Sequence, residues 1–286
     1  MCRFIFYNGE SLSLSSLITE PKNSLIYQSV HSSERREPLN GDGFGVAWYP
    51  TDGLAQPGLF RSMTPAWNNI NLANLAKVVS SHCVLAHVRA STQPGSVCEA
   101  NCHPFVSGQI AFMHNGQIAE LAKVRRALLE SLSDEAFEEI QGRTDSELLF
   151  AVFLDQLESS AGSASAEELG AALVESFRIV LEFSNRFGDG TEESYLNVAV
   201  TNGTNAVTSR FTTEDGYEGE SLYWIEGQRY VCEDELCRMR PYENGSPSVV
   251  VSSERLDDNP NWTKVPPNHM LLIPAHDTVS LRSIDI

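Results

Sequence analysis

Cys2 is the residue of this 286-residue chain whose position most directly suggests chemistry. With Met1 removed, it carries a thiol and a free α-amine on one residue. An α-amine titrates at ~7.7–8.0 and a free thiol near ~8.5, so at neutral pH part of the amine is an unprotonated base beside its own nucleophile. The thiolate is the attacking species, and the amine can take the thiol proton and return it to a leaving amine. A single cysteine at the start of an apolar strand is equally explained by packing, so partners must come from elsewhere. Two further apolar runs supply candidates: residues 84–88 end in Arg89, and residues 109–113 end in His114-Asn115-Gly116. Strands that hand polar residues to a loop commonly build sites, because the strand is rigid and the loop admits a ligand. A third candidate, Arg143-Thr144-Asp145-Ser146-Glu147, reads as a helix start with Thr144 as N-cap and Glu147 completing a capping box. That leaves Asp145 in the first turn, where the helix dipole alone stabilises an acid by ~0.3–1 kcal/mol.

The elements that must position these residues are legible in outline. Met1 to Tyr7 reads as a strand, and residues 12–18 and 25–30 as short helical or irregular pieces separated by Pro21. Asn40-Gly41-Asp42-Gly43-Phe44-Gly45 is a glycine-rich turn running into a strand, and its glycines let the backbone pass close to a neighbour. Without a following lysine and helix it is a poor phosphate-binding signal. Residues 59–62 read as a strand and 72–79 as a helix. From Ile118 a 3.6-residue apolar period takes over through Leu121, Val124, Leu128 and Leu129, and helices follow over 144–157 and 169–183. The last hundred residues read as strands at 195–201, 206–211, 221–225, 248–253 and 270–280, with exposed acidic loops at 213–220 and 232–245. Strands, then helices, then strands predict two sheets with helices packed outside in one domain, and no internal repeat is present.

Composition limits the partners. The chain carries 38 acidic against 20 basic side chains, a formal charge of −18, which argues against nucleic acid and anionic membranes, since both need basic patches. No segment approaches the ~20 apolar residues of a membrane span, and no charged-then-apolar leader precedes Cys2, so the expected location is cytoplasmic. Among the six cysteines, Cys98 and Cys102 stand near His103, and Cys232 and Cys237 form a second pair. Neither has the tight Cys-x2-Cys spacing of zinc sites, so they read as buried or incidental thiols and no metal is expected.

Taken together, Cys2, Ala86-His87-Val88-Arg89-Ala90-Ser91-Thr92, Asn101-Cys102-His103-Pro104-Phe105, His114-Asn115-Gly116 and Arg143-Thr144-Asp145-Ser146-Glu147 resemble the class II glutamine amidotransferases, which use an N-terminal nucleophile. The match is close from Cys2 to about Leu157 and looser through residues 195–201 and the tail. Asn40 to Gly45, Thr64-Pro65-Ala66-Trp67-Asn68-Asn69 and Asn101 to Phe105 bring it nearest to the amidotransferase subunits of glutathione-degrading complexes. Stand-alone bacterial members, including an ergothioneine-pathway amidohydrolase, are more distant. In the tail, Arg255 stands where such relatives usually carry a proline after Ser253-Glu254.

The resemblance implies a four-layer αββα sandwich of the N-terminal-nucleophile type, with residues 1–286 as one type-2 amidotransferase domain and no cofactor. It implies Cys2 as nucleophile, with Asn115 and Gly116 as the oxyanion hole. Arg89 would hold the α-carboxylate of the glutamyl substrate and Asp145 its α-ammonium, with His103 lining the pocket. His87 is expected to be a hydrogen-bonded core histidine, and the Asn40 to Gly45 loop to pass beside Cys2. The activity expected is hydrolysis of the γ-glutamyl amide of glutathione or a related compound, since no residues remain for a synthase domain. Two alternatives stay open: a glutaminase subunit that supplies ammonia to a separate synthase, and an inactive scaffold for a peptidase partner.

Overall fold

The fold is described from a computed structural model covering residues 2–286, except 35–38, 52–53, 92–96, 158–160, 234–235, 242–246 and 276. Strands β1 (Arg3–Ser13), β2 (Phe44–Trp48), β3 (Gly58–Ser62) and β4 (Ser80–Val88) precede β5 (Phe105–Ser107) and β6 (Ile110–Gln117). After a helical stretch come β7 (Tyr195–Thr201), β8 (Ala206–Arg210), β9 (Tyr223–Gly227), β10 (Arg229–Glu233), β11 (Leu236–Arg240), β12 (Ser248–Ser252), β13 (Thr263–Lys264), β14 (His269–Ile273) and β15 (Ser280–Ser283). They form a seven-stranded sheet in the order β13-β9-β12-β1-β4-β2-β3 and a six-stranded sheet in the order β15-β14-β8-β7-β6-β5. The pairings are antiparallel throughout, and β10 and β11 make a separate ribbon.

The period-2 alternation of the strands creates four layers. On β1, Phe4 and Phe6 point one way and Ile5 and Tyr7 the other. Phe4 and Phe6 join Leu85 and Val251, and meet Ala111, Met113, Ala199 and Leu271 of the second sheet in a central apolar layer. Ile5 and Tyr7, with Val84 and Ala86, pack against helices α1 (Ser15–Ile18), α2 (Leu25–Val30) and α3 (Ile70–Val78). On the far side Phe112, Val198 and Val200 pack under α4 (Leu121–Ser131), α6 (Asp145–Gln156) and α7 (Ala166–Phe187), with α5 (Asp134–Glu138) joining α4 to α6. This is the four-layer sandwich with both sheets inside. Strands β9, β12, β14 and β15, all from the tail, lie within these sheets.

Several local expectations need correction. Residues 12–18 are not one helix: β1 continues to Ser13, because Leu12 and Ser13 still pair with Ser81 and Ser80 beyond a bulge, leaving one helical turn. Residues 232–233 and 236–240 are not an open loop but part of the β10–β11 ribbon, whose residues Tyr230, Cys237 and Met239 are buried, while 234–235 and 242–245 of that expected loop lie outside the described residues. The run 270–280 divides into β14 and β15. The fourth helix begins at Leu121 rather than Ile118, since Ile118 donates its N–H to Asp145 instead of entering a helix. Thr144 accepts a bond from the Glu147 N–H, but the Glu147 carboxylate turns away to Gln141 and Gly142, so the capping box is half made. A complete box occurs at Ser165 and Glu168, opening α7.

Candidate active site

The ends of β1, β4 and β6 and the start of α6 converge on a cavity of about 250 Å³ lined by Cys2, Arg89, His103, Asn115, Gly116 and Asp145, among others. The sequence-nominated residues are therefore brought together in full. Cys2 donates its N–H to Asn115 Oδ1 at 2.9 Å, and its thiol faces the Ala90 carbonyl at 3.8 Å. With Oδ1 engaged there, Asn115 Nδ2 has no partner among the described residues. Burial pushes the Cys2 thiol up from its ordinary value, an effect that the contact with the Ala90 carbonyl and the Arg89 and Arg3 charges oppose. A thiol in this setting needs a base beside it to react.

Gly116 is required by β7. A Cβ there would lie 1.7 Å from the Tyr195 carbonyl oxygen and 2.8 Å from His114 Nε2. Gly116→Ala is thus expected to displace β6 from β7 at the cavity wall, and comparison of its amide exchange and its turnover with wild type checks this. His114 locks the neighbouring position. Its Nε2 donates to Tyr195 O and its Nδ1 accepts from Ser146 Oγ, both at 2.9 Å. Burial lowers its pKa, with Asp145 opposing, so the ring stays neutral and this donor–acceptor pattern holds. Asp145 ties two elements together: Oδ2 accepts from Ile118 N at 3.1 Å, just after β6, and Oδ1 from Ser146 N at 2.8 Å.

Arg89 is positioned by the glycine-rich loop. Its N–H donates to Gly43 O at 2.8 Å, its carbonyl accepts from Asp42 N at 3.0 Å, and Asp42 Oδ2 accepts from Ser91 N at 2.7 Å. The loop can come this close because its glycines face neighbours directly: a Cβ on Gly45 would sit 2.2 Å from His103 O, and one on Gly43 2.6 Å from Cys102 Sγ. Asn40 to Gly45 therefore grips the strand end around Arg89, whose neighbour Ala90 turns its carbonyl to the Cys2 thiol.

His87 and His103 stack with ring centroids 4.3 Å apart and planes 29° apart beneath the cavity. Both are fully enclosed, and neither nitrogen of either ring has a well-formed hydrogen bond. His87 is thus a core histidine, but a stacked one and not a hydrogen-bonded one. Burial brings its pKa down to about 3, with Arg89 and His114 adding to the effect and a long contact to the His114 backbone opposing it. Burial likewise holds His103 well below its ordinary value.

Pattern reading missed Gln117 and Glu192, and gave no site role to Arg143 or Leu121, all of which also line the cavity. Glu192 lies in an irregular connection, fixed by the bond from Glu120 N to its Oε2 at 2.7 Å, and no local period marks it. A larger groove of about 1110 Å³ adjoins the cavity at Glu192 but holds neither Cys2 nor Arg89. The cysteine–histidine group around Cys98 is not assembled: Cys98 is exposed, and Cys102 points to Ser62 O and Cys98 O. Cys232 and Cys237 are joined as a disulfide, and with Glu20 they form the one cluster of three metal-type donors within 4.8 Å among the described residues.

Comparison with known proteins agrees with this geometry. Residues 15–207 match the family model described as glutamine amidotransferases class-II. The chain is 39% identical over 303 residues to the Saccharomyces cerevisiae protein named "Probable glutamine amidotransferase DUG3", covering 99% of this chain and 84% of that one. It is 26% identical over 272 residues to a γ-glutamyl-hercynylcysteine sulfoxide hydrolase of Mycolicibacterium smegmatis, covering 95% of each. Among solved structures, a glutamine aminotransferase class-II domain protein from Silicibacter pomeroyi aligns over the whole of both chains, with a TM-score of 0.67 and 26% identity. The glutamine phosphoribosylpyrophosphate amidotransferase of Bacillus subtilis shares the fold at a TM-score of 0.61 and 15% identity, with 50% of that longer chain covered. Fold, cavity and sequence match together establish that the chain belongs to the class II glutamine amidotransferases.

Proposed function

We propose that this protein hydrolyses γ-glutamyl amide bonds, with Cys2 as nucleophile once Met1 is removed. The observation that carries the reading is the placement of Cys2, Asn115, Arg89 and Asp145 on one cavity, with Asn115 bonded to the Cys2 nitrogen. The Cys2 sulfur attacks the amide carbon, the α-amine accepts the thiol proton, and the resulting oxyanion is met by Asn115 Nδ2 and the Gly116 N–H. Collapse expels the leaving amine with that proton and leaves a thioester, which water cleaves to glutamate and free thiol. Arg89 holds the α-carboxylate with a forked guanidinium, and Asp145 holds the α-ammonium. His103 lines the floor as a neutral ring and moves no proton.

The cavity volume supports recognition of the glutamyl half alone, since about 250 Å³ is below the ~300–1,000 Å³ of drug-sized pockets. The leaving group then projects outward past Arg143 and Glu192. Hydrolysis of a γ-glutamyl compound is favoured by the mycobacterial relative, whose name carries that activity. The tail strands built into both sheets support treating residues 1–286 as one catalytic domain. We place the activity in the cytoplasm, where a reactive thiol stays reduced. A glutaminase subunit that feeds a synthase, or one that works with a peptidase partner, would use the same site.

The test is glutamate release from glutathione and from glutamine by protein whose mass shows that Met1 is gone. Cys2-dependent release from glutathione well above that from glutamine supports the peptide hydrolase, and the reverse ranking supports the glutaminase. Arg89→Met is expected to raise KM about 30-fold, near the ~2 kcal/mol lower end for losing one partner of a charge pair, with a smaller effect on kcat. Steady-state kinetics on either substrate measure this.

A further inference from the structure

We propose that Arg3 and Glu254 form a positioning pair that fixes the orientation of Cys2, an inference resting on the reading of Cys2 as nucleophile. Both residues lie outside the segment 15–207 matched to the family. The argument begins with the strand ladder. Pairing of β1 with β4 starts at Arg3 opposite Val88, and pairing with β12 starts at Ile5 opposite Ser252. Cys2 is therefore one residue past the last rung on one side and three past it on the other. The sheet does not set its torsions, and a residue with a free amine has no preceding peptide to do so.

Arg3 supplies the missing constraint. Its Nη1 folds back to donate to the carbonyl oxygen of Cys2 at 2.9 Å. Together with the Cys2 N–H bond to Asn115, this fixes the residue at both backbone ends and so aims the thiol and the amine. The guanidinium is itself immobilised: Nε donates to Glu254 Oε1 at 2.9 Å, and Nη2 donates to Ser32 Oγ. The two side chains are 3% and 1% exposed. Glu254 is saturated, accepting also from Ser32 Oγ at 2.6 Å, Ser33 N at 3.0 Å and Ser33 Oγ at 2.6 Å. Burial alone would raise the Glu254 pKa, but these donors and Arg3 outweigh it and hold the carboxylate below its ordinary range. Next to it, Ser253 brackets Phe4, donating its N–H to Phe4 O and accepting from Phe4 N through Oγ, both at 3.0 Å. Residues 253–254 thus clamp residues 3–4 where β12 has left the ladder.

Stability alone does not explain such a pair, because a buried ion pair is often no better than a well-packed apolar pair of the same volume. What an apolar pair lacks is a donor for the Cys2 carbonyl. Removing both charges together therefore separates the two roles. In the double variant Arg3→Met, Glu254→Leu, kcat for γ-glutamyl hydrolysis is expected to fall on the order of 100-fold, as for small misplacements of a reacting group. KM should stay within about twofold, because Arg89 and Asp145 are untouched. Arg3→Lys keeps the ion pair but loses the planar fork that serves Cys2, Ser32 and Glu254 together, so kcat should fall about 10-fold with an unchanged melting temperature.

A substrate-independent readout accompanies these: in protein labelled with 13C at cysteine Cβ, the Cys2 resonance, assigned by its loss in Cys2→Ser, should be single in wild type and broadened or split in both variants. Wild-type kcat and an unchanged Cys2 resonance in a folded double variant would overturn the pairing, as would a loss confined to melting temperature. Should the double variant not fold, Arg3→Lys decides by the same criteria. If wild type releases glutamate from neither glutathione nor glutamine, the hydrolase reading fails while the resonance comparison still tests the pairing.

Discussion

Cys2→Ala is expected to lower glutamate release by about 10⁶-fold, the scale seen when the nucleophile of a concerted catalytic group is removed. The loss should appear in kcat alone. Arg89 is held by Gly43 and Asp42, and Asp145 by Ile118 and Ser146, so neither depends on the Cys2 sulfur. Glutamate affinity measured by calorimetry should therefore stay within about twofold of wild type. Cys2→Ser sharpens the result: it keeps a nucleophile of similar geometry but a far weaker acid, and its residual rate reports how much the neighbouring amine can do unaided. Glutamate release by the alanine variant at wild-type rate would remove Cys2 from the mechanism.

Acid sensitivity is the second large effect. His87 is neutral in the fold with a pKa of about 3, against ~6.5 in an unfolded chain. Between those values the unfolded state binds the proton that the folded state refuses, so stability rises with pH across this window. The stabilisation is fully present above pH ~6.5 and is lost as pH falls toward 3. His87 alone should remove about 2 kcal/mol by pH 5 and on the order of 4–5 kcal/mol by pH 3. His103 and His114, both lowered by burial, act in the same direction. The window from pH 6.5 to 5 is dominated by the histidines, because carboxylates other than Glu147, which burial raises, are still largely ionised there. Urea unfolding at pH 7, 6 and 5 measures the slope, and His87→Phe, which keeps a stacked ring over His103, should flatten it. An unchanged slope in that variant would show that His87 is protonated without cost.

What could be read in advance followed the range of each interaction. Strand ends carrying Arg89 and Asn115 were legible because alternation and a terminal polar residue are local signals. Asp145 was legible because helix starts have local capping chemistry. The same local logic misled at Glu147, whose carboxylate meets two backbone N–H groups of the preceding loop instead of Thr144. It failed at Leu12 and Ser13, where pairing with Ser80 and Ser81 extends the strand against the helical pattern. Glu192 had no signal, since it reaches the cavity through irregular backbone, and Arg143 stood in the Asp145 motif with nothing local to say that it lines the cavity. The Arg3–Glu254 contact joins residues from opposite ends of the chain, and neither residue carries a pattern that names the other. The glycines of the Asn40 loop announced a close approach, but only the fold showed that His103 and Cys102 are what they approach.

The position of β1 between β4 and β12 also sets an order of events during synthesis. Ile5 pairs with Ser252, so the first strand made waits for one of the last before its second edge is closed. Contacts of such long sequence separation form slowly, because the loop-closure entropy comes before any reward. On the ribosome, the N-terminal segment emerges first and its neighbour β12 only when the chain is nearly complete. Cys2, beyond the end of that strand, thus spends most of translation outside the finished sandwich, and on the proposed mechanism that is the interval in which an aminopeptidase can remove Met1 before Arg3 and Asn115 enclose the residue.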